Sequence, residues 1–377
     1  MRRALVVALA SACAYVPRCS GAQGQSAGCM LDSSDSWGPD GSVPVRAGTV
    51  ASGLEVPWSF AFLPGGEVLV SERPGRVRLL QKGALAAAPV LTVKIGESAE
   101  GGLLGIAVHP KDPSLLYLYV TAPGPQNEVQ RWKLSADRTS ATFDRVLFSG
   151  IAAAAYHDGG RIRFGPDGML YVATGDARKP DRSQDPSSKN GKLLRVDPEG
   201  GVPKDNPLAG NPLWLLGVRN LEAFDWLDDG TLAIADHGPS GELGRYANDE
   251  VSLARKGDNL GWPTIYGCQA RAGMVSPILA WDRHAAPPGG LAVYRGSAIP
   301  EWKGSILVAT LGSEHLHRVA LEGGRVKLHE VYFRQKLGRL REVAMTPSGE
   351  LWMTTSNCDG RGECGPEKDR ILRVVRE

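Results

Sequence analysis

At 377 residues, with 42% hydrophobic and 22% charged side chains, the chain can bury one large core or two ordinary ones. Its 43 basic and 41 acidic residues are spread along the sequence and leave a net charge of +2. No basic face is available for a polyanion, and nucleic acid is excluded as a partner.

The chain opens on Met1-Arg2-Arg3 and an apolar stretch from Ala4 to Val16, too short to span a bilayer but suited to a secretory signal peptide over residues 1–22. Small residues at Ser20 and Ala22 fit cleavage there; Leu9-Ala10-Ser11-Ala12-Cys13 also resembles a lipoprotein signal that would leave Cys13 acylated. Either way an exported, periplasmic or extracellular protein is expected, with no later segment apolar enough for a transmembrane helix. Once Cys13 and Cys19 have left with the signal, Cys29, Cys268, Cys358 and Cys364 remain, an even number that suits an oxidising compartment. Cys358 and Cys364 enclose the turn-rich Asp-Gly-Arg-Gly-Glu and can close it as a disulfide, which leaves Cys29 to Cys268 as a second bridge by arithmetic alone.

Residues 23–46, rich in Ser, Gly and Asp, read as a flexible lead-in. Residues 47–377 then repeat one theme, a Pro/Gly/Asp turn followed by a short apolar strand. Clear copies are Pro64 to Val70, Pro166 to Val172, Asp229 to Ile234 and Pro347 to Met353, with looser ones at Leu115 to Val120 and Ser305 to Ala309. Helical periodicity is nearly absent. Six copies at this spacing match four-stranded blades, so the expected fold is all-β, a six-bladed β-propeller. Two β-sandwiches would also give many short strands, but the unit recurs with no linker between halves.

Three segments interrupt the strand pattern with polar groups. The first is Tyr156-His157-Asp158-Gly159-Gly160-Arg161, where paired glycines would let backbone approach a ligand and His157 would sit on a loop at one blade end. A lone loop histidine is more commonly a surface residue. The second runs from Gly217-Val218-Arg219-Asn220 through Asp236-His237-Gly238-Pro239-Ser240-Gly241-Glu242 and Asn248-Asp249-Glu250 to Asn259-Leu260-Gly261-Trp262-Pro263. Its carboxylates and bare carbonyls are the hard oxygen ligands calcium needs, yet without EF-hand spacing a solvated loop held by Asx turns fits equally. The third is Gly338-Arg339-Leu340-Arg341-Glu342-Val343: arginines at i and i+2 on one side of a strand can clamp carboxylates, although a polar surface face is the commoner use.

Together these segments resemble the glucose/sorbosone dehydrogenase family, the soluble PQQ-dependent sugar dehydrogenases, from about Gly53 to Val375. The resemblance includes Gly53-Leu54-Glu55-Val56-Pro57-Trp58, Gly102 to Pro110, His157 with Gly160-Arg161, Arg219-Asn220, His237-Gly238-Pro239, Asp249-Glu250, Gly261-Trp262-Pro263 and Arg339-x-Arg341. It implies a six-bladed propeller holding pyrroloquinoline quinone (PQQ) and Ca2+ in a central basin, with a small-molecule sugar as substrate and an external electron acceptor. His157 would be the catalytic base and Arg219 would stabilise charge on the reacting oxygen, while Glu100, Arg219, Asn220, Arg339 and Arg341 would contact the cofactor. The carbonyls of Gly238 and Pro239 would hold the catalytic calcium, and Glu250 with the Leu260 carbonyl a second, structural one.

Two departures qualify that implication. Gly312 stands where many relatives have a basic quinone contact, and Glu100 where several have glutamine, so that a carboxylate there would repel the quinone's own. The rival readings are a propeller that has lost the quinone and serves as a binding module, and a calcium-dependent hydrolase acting on lactones, which needs several inward carboxylates around one metal.

Overall fold

The computed structural model describes residues 24–96 and 98–377; the expected signal peptide, with Cys13 and Cys19, lies outside them. Among the described residues there are strands and three short 3-10 turns but no α-helix, and the strands form six antiparallel blades around a central axis. Blade 1 starts from Pro57–Phe62, blade 2 from Leu103–Val108, blade 3 from Ile162–Phe164, blade 4 from Leu221–Trp226, blade 5 from Pro288–Val293 and blade 6 from Leu340–Met345.

The six repeats noted in the sequence are the second strands of these blades, Val68–Glu72, Leu115–Ala122, Leu170–Ala173, Leu232–Asp236, Ile306–Thr310 and Leu351–Thr355. In four blades the preceding turn is the same down to its hydrogen bonds. Gly66, Gly168, Gly230 and Gly349 take left-handed φ of 88°, 75°, 81° and 84°, and each donates its N–H to the carbonyl three residues earlier. Glycine recurs because a side chain would be strained there.

The second strands are apolar without alternation because each blade is covered on both faces. One hydrophobic cluster fills each gap between neighbouring blades, for example Leu69, Val77, Ile106 and Leu118 between blades 1 and 2, and Leu307, Leu316, Leu340 and Met353 between blades 5 and 6. With every face buried and the ring closed, only the short outer strands keep free edges.

The lead-in departs from expectation: residues 24–44 are tied down along the outer edge of the ring. Gly24–Gln25 pairs with Gln269–Ala270, Cys29 forms a disulfide with Cys268, and Met30–Asp32 adds to blade 4 as a fifth, parallel strand. Trp37 then donates its indole N–H to Ala285 O at 3.0 Å, and Asp40 bridges to Val331 of blade 5. Small polar residues were read as disorder, whereas here they permit close packing; a Cβ on Gly41 would fall 2.1 Å from the Tyr332 ring. Val45–Leu54 completes blade 6 as its outer strand against Asp369–Arg376.

On the axis, Arg161 is fully buried. Its guanidinium bonds Ser59 Oγ at 2.8 Å, the Glu342 carboxylate, Gly289 O at 2.9 Å and Glu222 O at 2.8 Å, and lies 4.3 Å from the centroid of the Trp58 ring. Blades 1, 3, 4, 5 and 6 all contribute to this plug. Burial pulls the Arg161 pKa down to about 10, and the ion pair with Glu342 opposes that.

Candidate functional site

The loops that lead into the first strands and the ends of the second strands gather at one mouth of the ring, around a basin of about 500 Å3. Glu100, His157, Arg219, Asn220, Gly238, Pro239, Arg339 and Arg341 all border it, so residues spread over some 240 positions meet in one place. Loops at one end of a rigid scaffold are where binding groups are best presented.

His157 sits at φ 68°, an uncommon conformation for a side-chain residue, and is almost wholly buried. Its Nδ1 lies 2.8 Å from Asp176 Oδ1. A carboxylate only accepts, so Nδ1 carries the hydrogen and Nε2 is turned toward the basin, 3.4 Å from Glu242 Oε1. Asp176 is itself held by Arg178 N–H on Oδ1 at 2.8 Å and by Trp262 Nε1–H on Oδ2 at 3.0 Å. Asp176 follows the second strand of blade 3 and escaped the sequence reading; the only signal was its place in Thr174-Gly175-Asp176, where one more Asx turn was the plain interpretation.

The paired glycines serve a different purpose from the one expected. They bring the backbone not to a ligand but to its own neighbours: a Cβ on Gly159 would lie 2.6 Å from the Thr174 backbone, and one on Gly160 2.6 Å from Leu104. Gly175 completes the fit, because a Cβ there would fall 2.1 Å from His157 O. Close packing of blades 2 and 3 thereby sets the position of the His157 backbone.

Arg219 and Asn220 are oriented by the buried Asp236, whose two oxygens accept their backbone N–H groups at 2.7 and 2.9 Å. Burial raises the Asp236 pKa to about 6, against the pull of these donors. Arg219 donates through Nη2 to Glu242 Oε1 at 2.7 Å, while its buried Nε makes no hydrogen bond among the described residues. The Asn220 amide is committed internally: Oδ1 accepts Gly159 N–H at 2.9 Å and Nδ2 donates to Glu222 Oε1 at 3.0 Å. Nearby His237 is buried, and among the described residues its Nε2 makes no hydrogen bond, Glu222 Oε1 standing 3.8 Å away; burial lowers its pKa to about 4, so it is neutral at pH 7.

Arg339 and Arg341 converge as the i, i+2 spacing suggested, and Asp359 lies between them. Arg339 Nη2 is 2.9 Å and Arg341 Nη2 3.8 Å from Asp359 Oδ2, and Arg341 Nη1 reaches Glu222 Oε2 at 2.6 Å. Burial pushes the Asp359 carboxyl up, but the two arginines outweigh it and hold the pKa below its usual value. Asp359 and Arg361 belong to the small loop closed by the Cys358–Cys364 disulfide. Arg361 Nη1 pairs with Glu100 Oε1 at 3.0 Å, and Glu100 Oε2 accepts His157 N–H at 3.1 Å. Burial raises the Glu100 pKa, but these partners prevail and lower it. The carboxylate expected to repel is therefore a compensated one that helps hold the His157 backbone.

Gly238 and Pro239 border the basin, and Asp249 beside them fixes Gly238 N–H at 2.9 Å and Ala286 N–H at 2.6 Å. Glu250 and Leu260 lie away from the basin. Glu250 accepts Gly267 N–H at 3.0 Å, and burial raises its pKa well above the ordinary value; Leu260 N–H donates to Leu216 O at 2.8 Å. Among the described residues no cluster of three or more His, Cys, Asp or Glu is arranged to hold a metal, so backbone carbonyls would have to supply most ligands. Gly312 borders the basin opposite Pro287 and offers no charge there.

The family model described as glucose / sorbosone dehydrogenase matches residues 54–372. The aldose sugar dehydrogenase of Escherichia coli (strain K12) is 27% identical, over 87% of this chain and 94% of its own length. Quinoprotein glucose dehydrogenase B of Acinetobacter calcoaceticus is 26% identical, over 59% of this chain and 53% of its own. The PQQ-bound aldose sugar dehydrogenase of Streptomyces coelicolor superposes with a TM-score of 0.80 at 34% identity, covering 90% of this chain and all of that one. Six blades, a basin at one mouth and a match across nearly the whole ring agree, and the chain belongs to the glucose/sorbosone dehydrogenase family of propeller sugar dehydrogenases.

Proposed function

We propose that the protein is a PQQ-dependent dehydrogenase that oxidises an aldose sugar, or a related alcohol, to the lactone. The observation that carries this reading is the pairing of His157 Nδ1 with buried Asp176, which leaves Nε2 free beside Arg219 at the basin. A neutral imidazole in this tautomer can take the proton of a substrate hydroxyl near pH 7. Arg219 is the fixed charge that would stabilise a developing oxyanion.

The basin suits PQQ. Its volume falls in the range of small-molecule sites, it is bordered by six arginines, and the unpartnered Arg219 Nε points to a missing acceptor. Arg339 and Arg341 would hold carboxylates of the cofactor, with Asn220 and Glu100 forming the wall around them. Gly238 and Pro239 would offer carbonyl oxygens to Ca2+. When bound, PQQ supplies the two-electron acceptor and Ca2+ the Lewis acid that polarises it, and an external acceptor then removes the electrons. The two disulfides support an exported protein, and among the described residues no helix is long and apolar enough to cross a membrane.

The lactone-hydrolase reading needs carboxylates free to converge on a metal. In this basin Glu100, Glu222, Glu242 and Asp359 are each bonded to an arginine, and Asp249 to two backbone N–H groups. The test of function is titration of metal-stripped protein with PQQ and Ca2+, followed by a panel of aldoses. Saturable binding and sugar-dependent reduction of the quinone, lost in His157→Ala, are expected; absence of binding at micromolar PQQ overturns the reading in favour of a cofactor-free recognition propeller.

A further inference from the structure

Four of the six basin arginines have a carboxylate partner: Arg219 with Glu242, Arg339 with Asp359, Arg341 with Glu222 and Arg361 with Glu100. Arg178 is exposed at the rim, where water can solvate it. Arg73 differs from both groups. It is half-buried in the basin wall, and among the described residues it forms no ion pair. Its guanidinium makes only two long bonds to carbonyls, from Nη1 to Ala99 O at 3.3 Å and from Nη2 to Asp359 O at 3.4 Å.

The side chain is nonetheless firmly placed. Arg73 N–H donates to Val56 O at 3.0 Å and Arg73 O accepts Leu103 N–H at 3.0 Å, which fixes the backbone at the junction of blades 1 and 2. Gly102 makes room for the stem, since a Cβ there would lie 2.9 Å from Arg73 Cγ. The guanidinium therefore meets Arg339 and Arg341 at Asp359, which serves those two through its side chain and Arg73 through its carbonyl. Arg339 and Arg341 share the Asp359 carboxylate and Arg341 also reaches Glu222, whereas Arg73 bonds only the Asp359 backbone carbonyl. Burial, and then the charge of Arg341, push the Arg73 pKa down, with the charges of Asp359 and Glu100 opposing them.

We propose that Arg73 is a ligand-binding residue which, having no carboxylate partner among the described residues, receives a carboxylate of the bound anion at the Arg339–Arg341 corner of the basin. For PQQ, a tricarboxylate, this rests on the cofactor reading above and adds blade 1 to the clamp formed by blade 6. An arginine fork is suited to two parallel bonds with a carboxylate.

The test compares wild type with Arg73→Met, which keeps the stem, and Arg73→Lys, which keeps the charge. Two quantities are read: Tm of the ligand-free protein, and the Kd for PQQ from quenching of tryptophan fluorescence. Arg73→Met is expected to leave the ligand-free Tm unchanged or raised while weakening PQQ binding by about 10- to 100-fold, with partial recovery in Arg73→Lys. Unchanged PQQ affinity overturns the proposal; so does a loss of affinity that only follows a lowered Tm and is not recovered by lysine. If wild type itself takes up no PQQ, the cofactor reading falls and Arg73 is judged with citrate as probe. A citrate-induced rise in Tm that disappears in Arg73→Met supports the anion site, and no rise in wild type overturns it.

Discussion

The carboxylate of Glu242 stands 3.4 Å from His157 Nε2, the one imidazole nitrogen that is free to meet a substrate hydroxyl. The same oxygen takes Arg219 Nη2 at 2.7 Å. Glu242 thus occupies ground between the two residues proposed to act on substrate, carried by a turn in which Leu243 is left-handed and both Leu243 and Tyr246 are exposed. Glu242→Gln removes the charge that competes with an anionic ligand for Arg219 and is expected to tighten PQQ binding by about three- to tenfold. A titration of both proteins at equal ionic strength checks this; equal or weaker binding in the variant refutes it.

Asp176→Asn should leave the ring intact and damage the base. An amide can present its NH2 to Nδ1 and so favour the wrong tautomer, with the hydrogen on Nε2. The turnover number for sugar-dependent dye reduction is expected to fall by about 100- to 10,000-fold with a much smaller change in KM. A comparable loss in PQQ affinity would instead show that Asp176 shapes the basin as a whole.

The two disulfides should separate stability from binding. Cys29–Cys268 spans 239 residues and Cys358–Cys364 only 6. In the chain-entropy account their removal costs about 5 and about 2 kcal/mol respectively. Cys29→Ser with Cys268→Ser is expected to lower Tm more, whereas Cys358→Ser with Cys364→Ser should weaken PQQ binding more, because that loop carries Asp359 and Arg361. Thermal unfolding and PQQ titration of both double variants decide it.

Acid should destabilise the fold through buried imidazoles. His317 Nδ1 lies 3.3 Å from His315 Nε2, and its Nε2 lies 3.3 Å from His329 Nδ1. Burial lowers all three pKa values below the ordinary 6.5, His315 to about 4; the charges of His315, His329 and Arg334 add to the effect at His317 and Arg334 adds to it at His315, while the Ser313 carbonyl opposes it at His315 and Asp32 at His329. A group whose folded pKa is depressed in this way takes up its proton more readily when unfolded. Its contribution is complete above pH 6.5 and is lost as pH falls toward 4. Asp236 and Glu250 act in the opposite sense, since burial raises their pKa values and acid relieves them. The informative quantity is therefore a difference: between pH 6.5 and 4, Tm of wild type should fall more steeply than that of His317→Asn.

The ring was legible in the sequence because in four of the six blades the second strand is announced by the same left-handed turn glycine and then runs apolar on both faces, as at Gly168 before Leu170–Ala173. His157, Arg219, Arg339 and Arg341 were legible through the order of short motifs. Asp176, Glu222, Asp359 and Arg73 were not, for a common physical reason. Each is a charged residue whose meaning comes from a group distant in sequence, as Glu222 acquires its meaning from Arg341, 119 positions away. Periodicity reports which face of a strand is buried, and it carries no information about which blades will stand side by side. The lead-in was misjudged likewise: Ser, Gly and Asp describe a chain that cannot form its own core, while residues 24–44 use a core built by blades 4 and 5.

Blade 6 has a further consequence for how the molecule comes together in time. Its outer strand, Val45–Leu54, is made well before its partner, Asp369–Arg376. Until that partner has been made, the ten-residue strand has no mate and the ring no clasp. Five blades can form in sequence behind the ribosome, but the basin, which draws on both ends of the ring, exists only after the final strand has docked. A chain interrupted just before residue 369 would hold every residue that borders the basin and lack the strand that closes the ring around them.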